Sequence, residues 1–311
     1  MLDVKRLRVL REVAAKGSFS AAAESLAYTQ SAVSQQIAAL EREAGTRLVD
    51  RSARGVRLTD AGRALVRHAD VILARLRDAE AELEAIAGLR GGRVRVVSFA
   101  SGGATLVPRA IAVFRERHPA VELSLEPAEG DEAFDALRSG DADIALTIDA
   151  EFCALDAGDL EVVHLLDDPM YAVLPRDHPL AAKPRIRLEE LRDDSWIAGS
   201  ARGCPDTMIL VRACNTAGFE PRIAFHSDDY LAIQGFVASG VGVSLIPDLA
   251  LLAVRDDVAI RALKSSPPVR RIQAATLKDG YRSPAIEAML GTLQEVGPEF
   301  EAQRKELALA V

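Results

Sequence analysis

The sequence predicts an α/β protein in three parts: a small helical head carrying a two-stranded hairpin, one long helix, and a two-lobed body of alternating strands and helices. Three observations predict it. Apolar residues in the first fifty positions recur at intervals of three and four in short sets, the period of a helix. Between Leu65 and Ile86 the intervals run 4, 3, 4, 3, 4, 3, and beyond residue 93 short apolar runs alternate with helical stretches. At 311 residues the chain has the length of roughly two domains, and a hydrophobic share of 49% supplies their cores. The expected boundaries are 1–59 for the head, 60–88 for the long helix and 92–311 for the body, with one lobe from 92–162 and 268–296 and the other from 163–267.

Residues 18–48, SFSAAAESLAYTQSAVSQQIAALEREAGTRL, read as two helices joined by a tight turn. Ala22, Ala23 and Leu26 make one apolar stripe and Val33, Ile37 and Leu40 the next. Thr29 stands where an N-cap belongs, its hydroxyl able to accept from the first free amides of the second helix, and Gly45 closes that helix with a residue tolerant of positive φ. Gln30, Ser31, Ser34 and Gln35 are left on the exposed opening turns. Amides and hydroxyls so placed hydrogen-bond base edges when a helix-turn-helix enters the major groove of duplex DNA. The same periodicity also fits a helix pair that only packs a core.

The next segment, RLVDRSARGVRLT, reads as strand, turn and strand, with Arg47, Arg51, Arg54 and Arg57 recurring along it. It has the form of a wing whose arginines reach phosphates or a narrow minor groove. Charge is distributed in keeping with that: residues 1–60 hold ten Lys and Arg against seven Asp and Glu, whereas the whole chain has a net charge of −8. The basic share lies at one end.

Thr59 is placed to cap the long helix, whose apolar positions are Leu65, Ala69, Ile72, Leu76, Ala79, Leu83 and Ile86. A sustained heptad keeps one seam facing a partner helix while Arg67, Asp70, Arg75, Asp78, Glu80 and Glu84 stay in water. Pairing with a second copy is the expectation, packing on the chain's own body the alternative. Gly88, Gly91 and Gly92 follow as a linker. A homodimer would set two heads on one duplex and favour symmetric half-sites.

In the body, VRVVSF (94–99), VELSLE (121–126) and DIALTI (143–148) read as strands, with helices through 110–117 and 133–138 between them. A second unit begins near Val162 and includes MYAVLP (170–175), a helix at 206–217, RIAFH (222–226), a helix at 229–239 and VGVSLIP (241–247). A strand at 269–277 and a helix at 285–296 return to the first unit. The alternation implies a mostly parallel sheet covered by helices, with a ligand cleft outside the carboxyl ends of the strands.

Several function classes find little support. Asp3, Lys5, Arg6 and Arg8 interrupt any apolar start, and no apolar run reaches the ~18 residues of a membrane span, so no membrane partner and a cytoplasmic location are expected. Cys153, Cys204 and Cys214 make an odd count without metal-ligand spacing and are expected as reduced thiols, with no metal site. GVGVSL (240–245) runs from helix to strand, the reverse of a dinucleotide fingerprint, and neither a GxSxG elbow nor a phosphate loop is present. His68, His118, His164, His178 and His226 are scattered. An α/β enzyme or a solute-binding protein remains the alternative from another class, but neither requires the head.

GSFSAAAESL, TQSAVSQQIAALE, EAGTRLVDR and LTDAG, and later LVPRAI, FRERHP, LRSGDADIAL, PLAAKP and FVASGVGVSLIP, together resemble the LysR-type transcriptional regulators over essentially the whole length. The resemblance implies a winged helix-turn-helix, a dimerising linker helix and an effector domain similar to the type 2 periplasmic binding proteins. It implies no catalytic activity and no cofactor beyond a small-molecule effector of unidentified structure. Double-stranded promoter DNA and a second copy of the chain are the implied partners, with two dimers forming a tetramer that bends its site, and RNA polymerase is a further candidate.

Matched to the family's motifs, Gln30, Ser31, Ser34 and Gln35 fall at base-reading positions, and Arg51 and Arg54 on the wing. Many members carry Arg where this chain has Gln35; Gln favours adenine and Arg guanine, so the operator is expected to differ. The effector cleft corresponds to Ser101 and Gly102, Glu129 and Gly130, Thr147 and Ile148, Gly199 to Cys204 with Ser200 and Arg202, and Ser227 and Asp228. Hydroxyls and backbone amides there suit a small carboxylate or similar polar metabolite, with Arg202 as a charge partner. Cys204 and Cys214 flank a predicted helix where peroxide-sensing members carry their redox pair. A thiol-based sensor is therefore the alternative within the family.

Overall fold

A computed structural model of the chain describes residues 1–52, 55–86, 92–149, 158–199, 205–264, 267–278 and 280–309. The chain divides into two compact units, one of Met1–Gly92, Asp135–Ala142 and Asp279–Ser283, the other of Arg93–Phe134, Asp143–Lys278 and Pro284–Val311.

The first unit opens with α1 (Val4–Lys16), capped by Asp3 and ended by Gly17 at φ +60°, then α2 (Phe19–Ser25), capped by Ser18, and α3 (Gln30–Ala44). Strands β1 (Val49–Ser52) and β2 (Gly55–Leu58) form an antiparallel hairpin with Val49 opposite Leu58. Helix α4 (Asp60–Ile86) follows for 27 residues. Leu7, Leu10, Val13, Ala22, Val33, Ile37 and Leu40 close one apolar core between the three short helices, and Ala69 of α4 joins it. Entry into α4 is fixed by Thr59, whose hydroxyl donates to the Arg47 carbonyl at 2.8 Å and accepts the Gly62 amide at 3.0 Å. A Cβ on Gly62 would stand 2.0 Å from the Leu48 carbonyl oxygen, so only glycine lets the helix approach the hairpin so closely.

The second unit contains β3 (Arg93–Ser98), α5 (Ala100–Ala104), α6 (Leu106–Arg117), β4 (Glu122–Pro127), α7 (Gly130–Arg138, which ends in the first unit), β5 (Ile144–Asp149) and β6 (Leu160–Pro175). There follow β7 (Arg185–Ile186), β8 (Ser195–Ala198), α8 (Pro205–Thr216), β9 (Arg222–His226), α9 (Tyr230–Ala238), β10 (Ser244–Pro247), β11 (Val258–Leu263), β12 (Val269–Leu277) and α10 (Pro284–Leu309). The large sheet has the order β4-β3-β5-β12-β6-β11-β7, with β10 also on β6, and β8 pairs with β9 in a second sheet.

The sheet is mixed, which corrects the expectation of a mostly parallel one. Pairs joined through a helix are parallel, as in β3 with β4 and β8 with β9, while β12 runs antiparallel to both β5 and β6. The cause is β6, whose 16 residues serve both lobes: Leu160–Pro169 pairs with β12, and Met170–Pro175 with β10 and β11. Each lobe accordingly has its own core. One gathers Val96, Phe114, Ile144, Leu146 and Leu293, the other Ala172, Leu191, Trp196, Leu210 and Val243. Helix α10 extends well beyond the expected 285–296 and buries Val296 and Phe300 in the first of these cores. Among the described residues no helix is long and apolar enough to cross a membrane.

Candidate functional site

Two surfaces carry the predicted residues, one in each unit. In the first, Thr29 caps α3 through its hydroxyl, which accepts the Ala32 amide at 3.2 Å and lies 3.0 Å from the Ser31 hydroxyl. Gln30, Ser31 and Gln35 are exposed on the opening turns and Ser34 is half-buried. The helix is held from below by contacts that periodicity does not reveal. Arg6 of α1 donates to Gln36 at 3.2 Å and pairs with Glu43, and Glu41 accepts the amides of Leu48 and Val49 at 2.9 and 3.2 Å. The hairpin docks on the head through the Val56 amide, which donates to the Gly17 carbonyl at 3.0 Å. Arg51 lies on β1 opposite Val56, whereas Arg54 falls outside the described residues.

The heptad of α4 splits in two. Leu65 and Ala69 pack into the core of their own unit, which assigns the start of the seam to the alternative reading, packing on the chain's own body. Ile72, Leu76 and Leu83 are exposed, at 40%, 44% and 66%, and Ala79 is exposed beside them. A row of exposed large apolar side chains on one helix face marks an interaction surface.

In the second unit a cavity of about 50 Å³ is lined by Ala100, Glu129, Ile148, Ile197, Ala198, Gly199, Pro205, Asp206, Thr207, Leu210, Ser227, Asp228, Tyr230, Ile233, Ser244, Leu245 and Arg270. Of the predicted cleft residues, Glu129, Ile148, Gly199, Ser227 and Asp228 line it. Glu129 accepts the Ala100 amide at 3.3 Å, and the Ser227 amide donates to the Ala198 carbonyl at 2.9 Å. Ser101 is buried one layer back and reaches the cavity through Arg270. Gly102, Gly130 and Thr147 do not line the cavity. Gly102 is where a Cβ would strike the Phe99 ring at 2.8 Å, Gly130 opens α7, and Thr147 is buried in β5 opposite Gln273. Ser200, Arg202 and Cys204 lie outside the described residues.

The centre of the site is a group that the sequence reading passed over. Arg270 is 1% exposed; its Nη2 and Nε donate to Asp168 at 2.5 and 3.0 Å, and its Nη1 donates to Asp206 at 3.1 Å. Nη2 also donates to Ser101 at 3.0 Å, and Tyr230 donates its hydroxyl to Asp206 at 2.5 Å. The second Asp168 oxygen accepts the Leu249 amide at 3.0 Å. Burial works against the charge of Arg270, but Asp206 and Asp168 outweigh it and hold its proton affinity above the ordinary guanidinium value. A signal was available: Arg270 is in phase with Ile272 and Ala274 on the inward face of β12, where a charge persists only with partners.

The proposed redox pair does not gain from the geometry. Cys214 is fully buried in the core of its lobe, and burial pushes its thiol up to about 12, far from the thiolate that oxidation needs.

Residues 4–63 match the bacterial regulatory helix-turn-helix family of LysR type, and residues 87–298 match the LysR substrate-binding domain. A probable HTH-type transcriptional regulator, LrrA of Synechococcus elongatus, is 32% identical over 305 residues, 97% of this chain and 99% of the relative. Among solved structures, a full-length OxyR variant from Pseudomonas aeruginosa is 26% identical with a TM-score of 0.73, covering 96% of this chain and 97% of its own. Full-length CbnR in complex with its target DNA has the same fold at 22% identity, TM-score 0.67, covering 95% of this chain and 100% of its own.

Proposed function

The chain belongs to the LysR family of transcriptional regulators, effector-controlled proteins that bind DNA, and from that membership we propose how its parts divide the work. Gln30, Ser31, Ser34 and Gln35 read base edges from the opening turns of α3, while Arg51 and Arg54 of the wing meet phosphates or the minor groove. The observation that carries this is the capped, polar and exposed start of α3 over a fully apolar underside. CbnR, of the same fold, is held on its target DNA, which supports reading the present chain as an operator-binding protein.

Ile72, Leu76 and Leu83 of α4 form the seam of a homodimer, and two dimers form a tetramer on one promoter. The effector binds in the cavity around Arg270 and favours one arrangement of the two lobes. That changes the spacing of the reading heads by population shift, within the limit of its differential affinity for the two states. Bending promoter DNA costs on the order of a few kcal/mol, a scale that ligand binding can offset. RNA polymerase is the partner through which a bent site acts. The chain carries no cofactor, catalyses no reaction and works in the cytoplasm.

The test is fluorescence anisotropy on a promoter fragment from the protein's own gene region and on a scrambled duplex. Ser34→Ala is expected to weaken binding to the promoter and leave the scrambled duplex unaffected, and Arg54→Ala to weaken both and lower the salt dependence. A uniform loss for Ser34→Ala contradicts base reading.

A further inference from the structure

We propose that the last turns of α10, from Gly297 to Arg304, act as a brake on the hinge between the two lobes of the second unit, with Arg304 on Asp248 as its grip. The brake is a property of the lobes, and its bearing on the promoter rests on the reading that lobe arrangement governs DNA binding. The hinge follows from the strand pairing. The chain passes from one lobe to the other along β6, which pairs with β12 up to Pro169 and with β10 and β11 from Met170. The short turn Asp248–Ala250, which follows β10, crosses over as well. Its Leu249 is buried in the core that holds Val96 and Phe114, while Leu245 before it and Leu251 after it belong to clusters of the other lobe. A change in lobe arrangement turns about such crossings.

Helix α10 holds both crossings, although its own apolar side chains are buried in the first lobe's core. Gly297 lies so close to β6 that an added Cβ would stand 2.5 Å from the Leu165 carbonyl oxygen, and Glu301 accepts the Asp167 amide at 3.4 Å. Arg304 donates from Nε and Nη2 to the two oxygens of Asp248 at 2.7 and 2.5 Å, with both side chains largely buried. A bidentate pair fixes direction as well as distance, so Asp248 cannot turn with the second lobe while Arg304 keeps its grip. The next amide along, that of Leu249, donates to Asp168 at 3.0 Å, which ties the same turn to the Arg270 group behind the cavity. The grip needs an anchor on the first lobe, and α6 supplies it. Arg109 stacks on the buried Phe300 ring at 4.6 Å and donates to Gln303 at 2.8 Å. Pro298 offers no amide to the turn before it, so the final turns depend on these side-chain contacts more than an ordinary helix end does.

The experiment measures the distance between the lobes in the full chain by pulsed electron double resonance. Nitroxides are attached at Asp177→Cys in the second lobe and Glu287→Cys in the first, both exposed positions, with Cys153→Ser and Cys204→Ser in every chain and the buried Cys214 retained. Labelled chain is diluted with unlabelled chain so that only distances within one copy are read. Arg304→Ala and Asp248→Asn are each expected to broaden the distance distribution or give it a second maximum, and the double variant to go no further than either single one. Gln303→Ala, which cuts the anchor without touching the hinge side, is expected to leave the distribution as it is. Affinity for the promoter fragment is expected to change by about fivefold or more in Arg304→Ala. Thermal unfolding of each chain verifies that it is folded, and Arg304→Gln, which keeps the side chain's bulk, replaces Arg304→Ala if that chain does not unfold cooperatively. An unchanged distribution in both single variants, with only Tm lowered, makes the pair a structural contact and overturns the brake. Equal broadening in Gln303→Ala also overturns it, because the effect then belongs to a frayed helix end. A broadened distribution with unchanged promoter affinity upholds the brake and removes the reading that lobe arrangement governs DNA binding.

Discussion

The opening turns of α3 and the cavity around Arg270 are both polar, yet their polar groups are in opposite states. Gln30, Ser31 and Gln35 lie in water over an apolar core and are exposed to an incoming surface. Arg270, Asp168 and Ser101 are buried and bonded through Arg270, with Asp206 and Tyr230 half-buried at their edge. A reading surface needs side chains that fold without depending on them, whereas a buried cleft can hold charge only where each charge is compensated. Substitutions should therefore cost binding in the first region and stability in the second.

The largest expected effect follows from removing the compensating charge. Arg270→Ala leaves Asp168, itself 1% exposed, with the Leu249 amide but no opposite charge in the interior, and such a loss costs about 3–5 kcal/mol. Urea unfolding of the full chain measures it. The double variant Asp168→Asn with Arg270→Gln should lose clearly less, because the charge left without its opposite is that of Asp206, which is only partly buried and still accepts the Tyr230 hydroxyl. If the two variants unfold at the same urea concentration, the network is not electrostatic in origin and the contrast between the regions fails.

Gln35→Ala comes next and acts in the other currency. Loss of a bidentate base contact is worth about 1–3 kcal/mol, a tenfold to hundredfold weakening on the operator, with the unfolding midpoint unchanged. Gln35→Arg should instead shift preference from adenine toward guanine at one position of each half-site, read by binding to a set of single-base operator variants. A drop in stability equal to the drop in affinity would place Gln35 among the residues that hold the fold.

These two regions were unequally legible for physical reasons. Thr29, Gly45, the Val33-Ile37-Leu40 stripe and the polar opening of α3 follow from local rules of capping and period, and the structure has each of them in place. Glu129, Ile148, Ser227 and Asp228 follow from the resemblance to the LysR-type regulators, whose cleft loops they match, and they line the cavity. Asp168, Asp206 and Arg270 come together from distant elements, β6, α8 and β12, and no local rule pairs them. The alternation of strands and helices predicts a parallel sheet, but the long strand β6 pairs antiparallel with β10, β11 and β12, which no local period reveals. The α4 spacing is that of one continuous heptad, but packing of Leu65 and Ala69 into the head's core leaves Ile72, Leu76 and Leu83 exposed for a partner.

Thr29→Ala tests the border between the two behaviours, since Thr29 belongs to the reading helix but accepts the Ala32 amide. The cap is worth about 1 kcal/mol, so a modest loss of stability should accompany weaker operator binding. Thr29→Ser should restore both. Recovery of stability without recovery of binding would give the Thr29 methyl a direct role at the DNA.

The smallest effect is expected at Cys214, and it bears on whether the second region senses oxidants. With its thiol pushed up to about 12 by burial, the folded chain holds the proton well above the ordinary cysteine value of 9.0, while the unfolded chain releases it near that value. A group raised in the folded state contributes stability that is present below the unfolded pKa and is lost as pH rises through the folded one. Stability should therefore decline from about pH 9 toward 12 through this group, and Cys214→Ala should flatten that part of the curve while changing little at pH 7 beyond the small cavity. Alkylation by iodoacetamide at pH 8 should proceed at Cys214 only as fast as the lobe opens, because the thiolate is the reacting form and the folded core suppresses it. Rapid alkylation of Cys214 in the native chain, or peroxide-dependent operator binding that Cys214→Ala abolishes, would restore the redox pair and reverse the assignment of this core position.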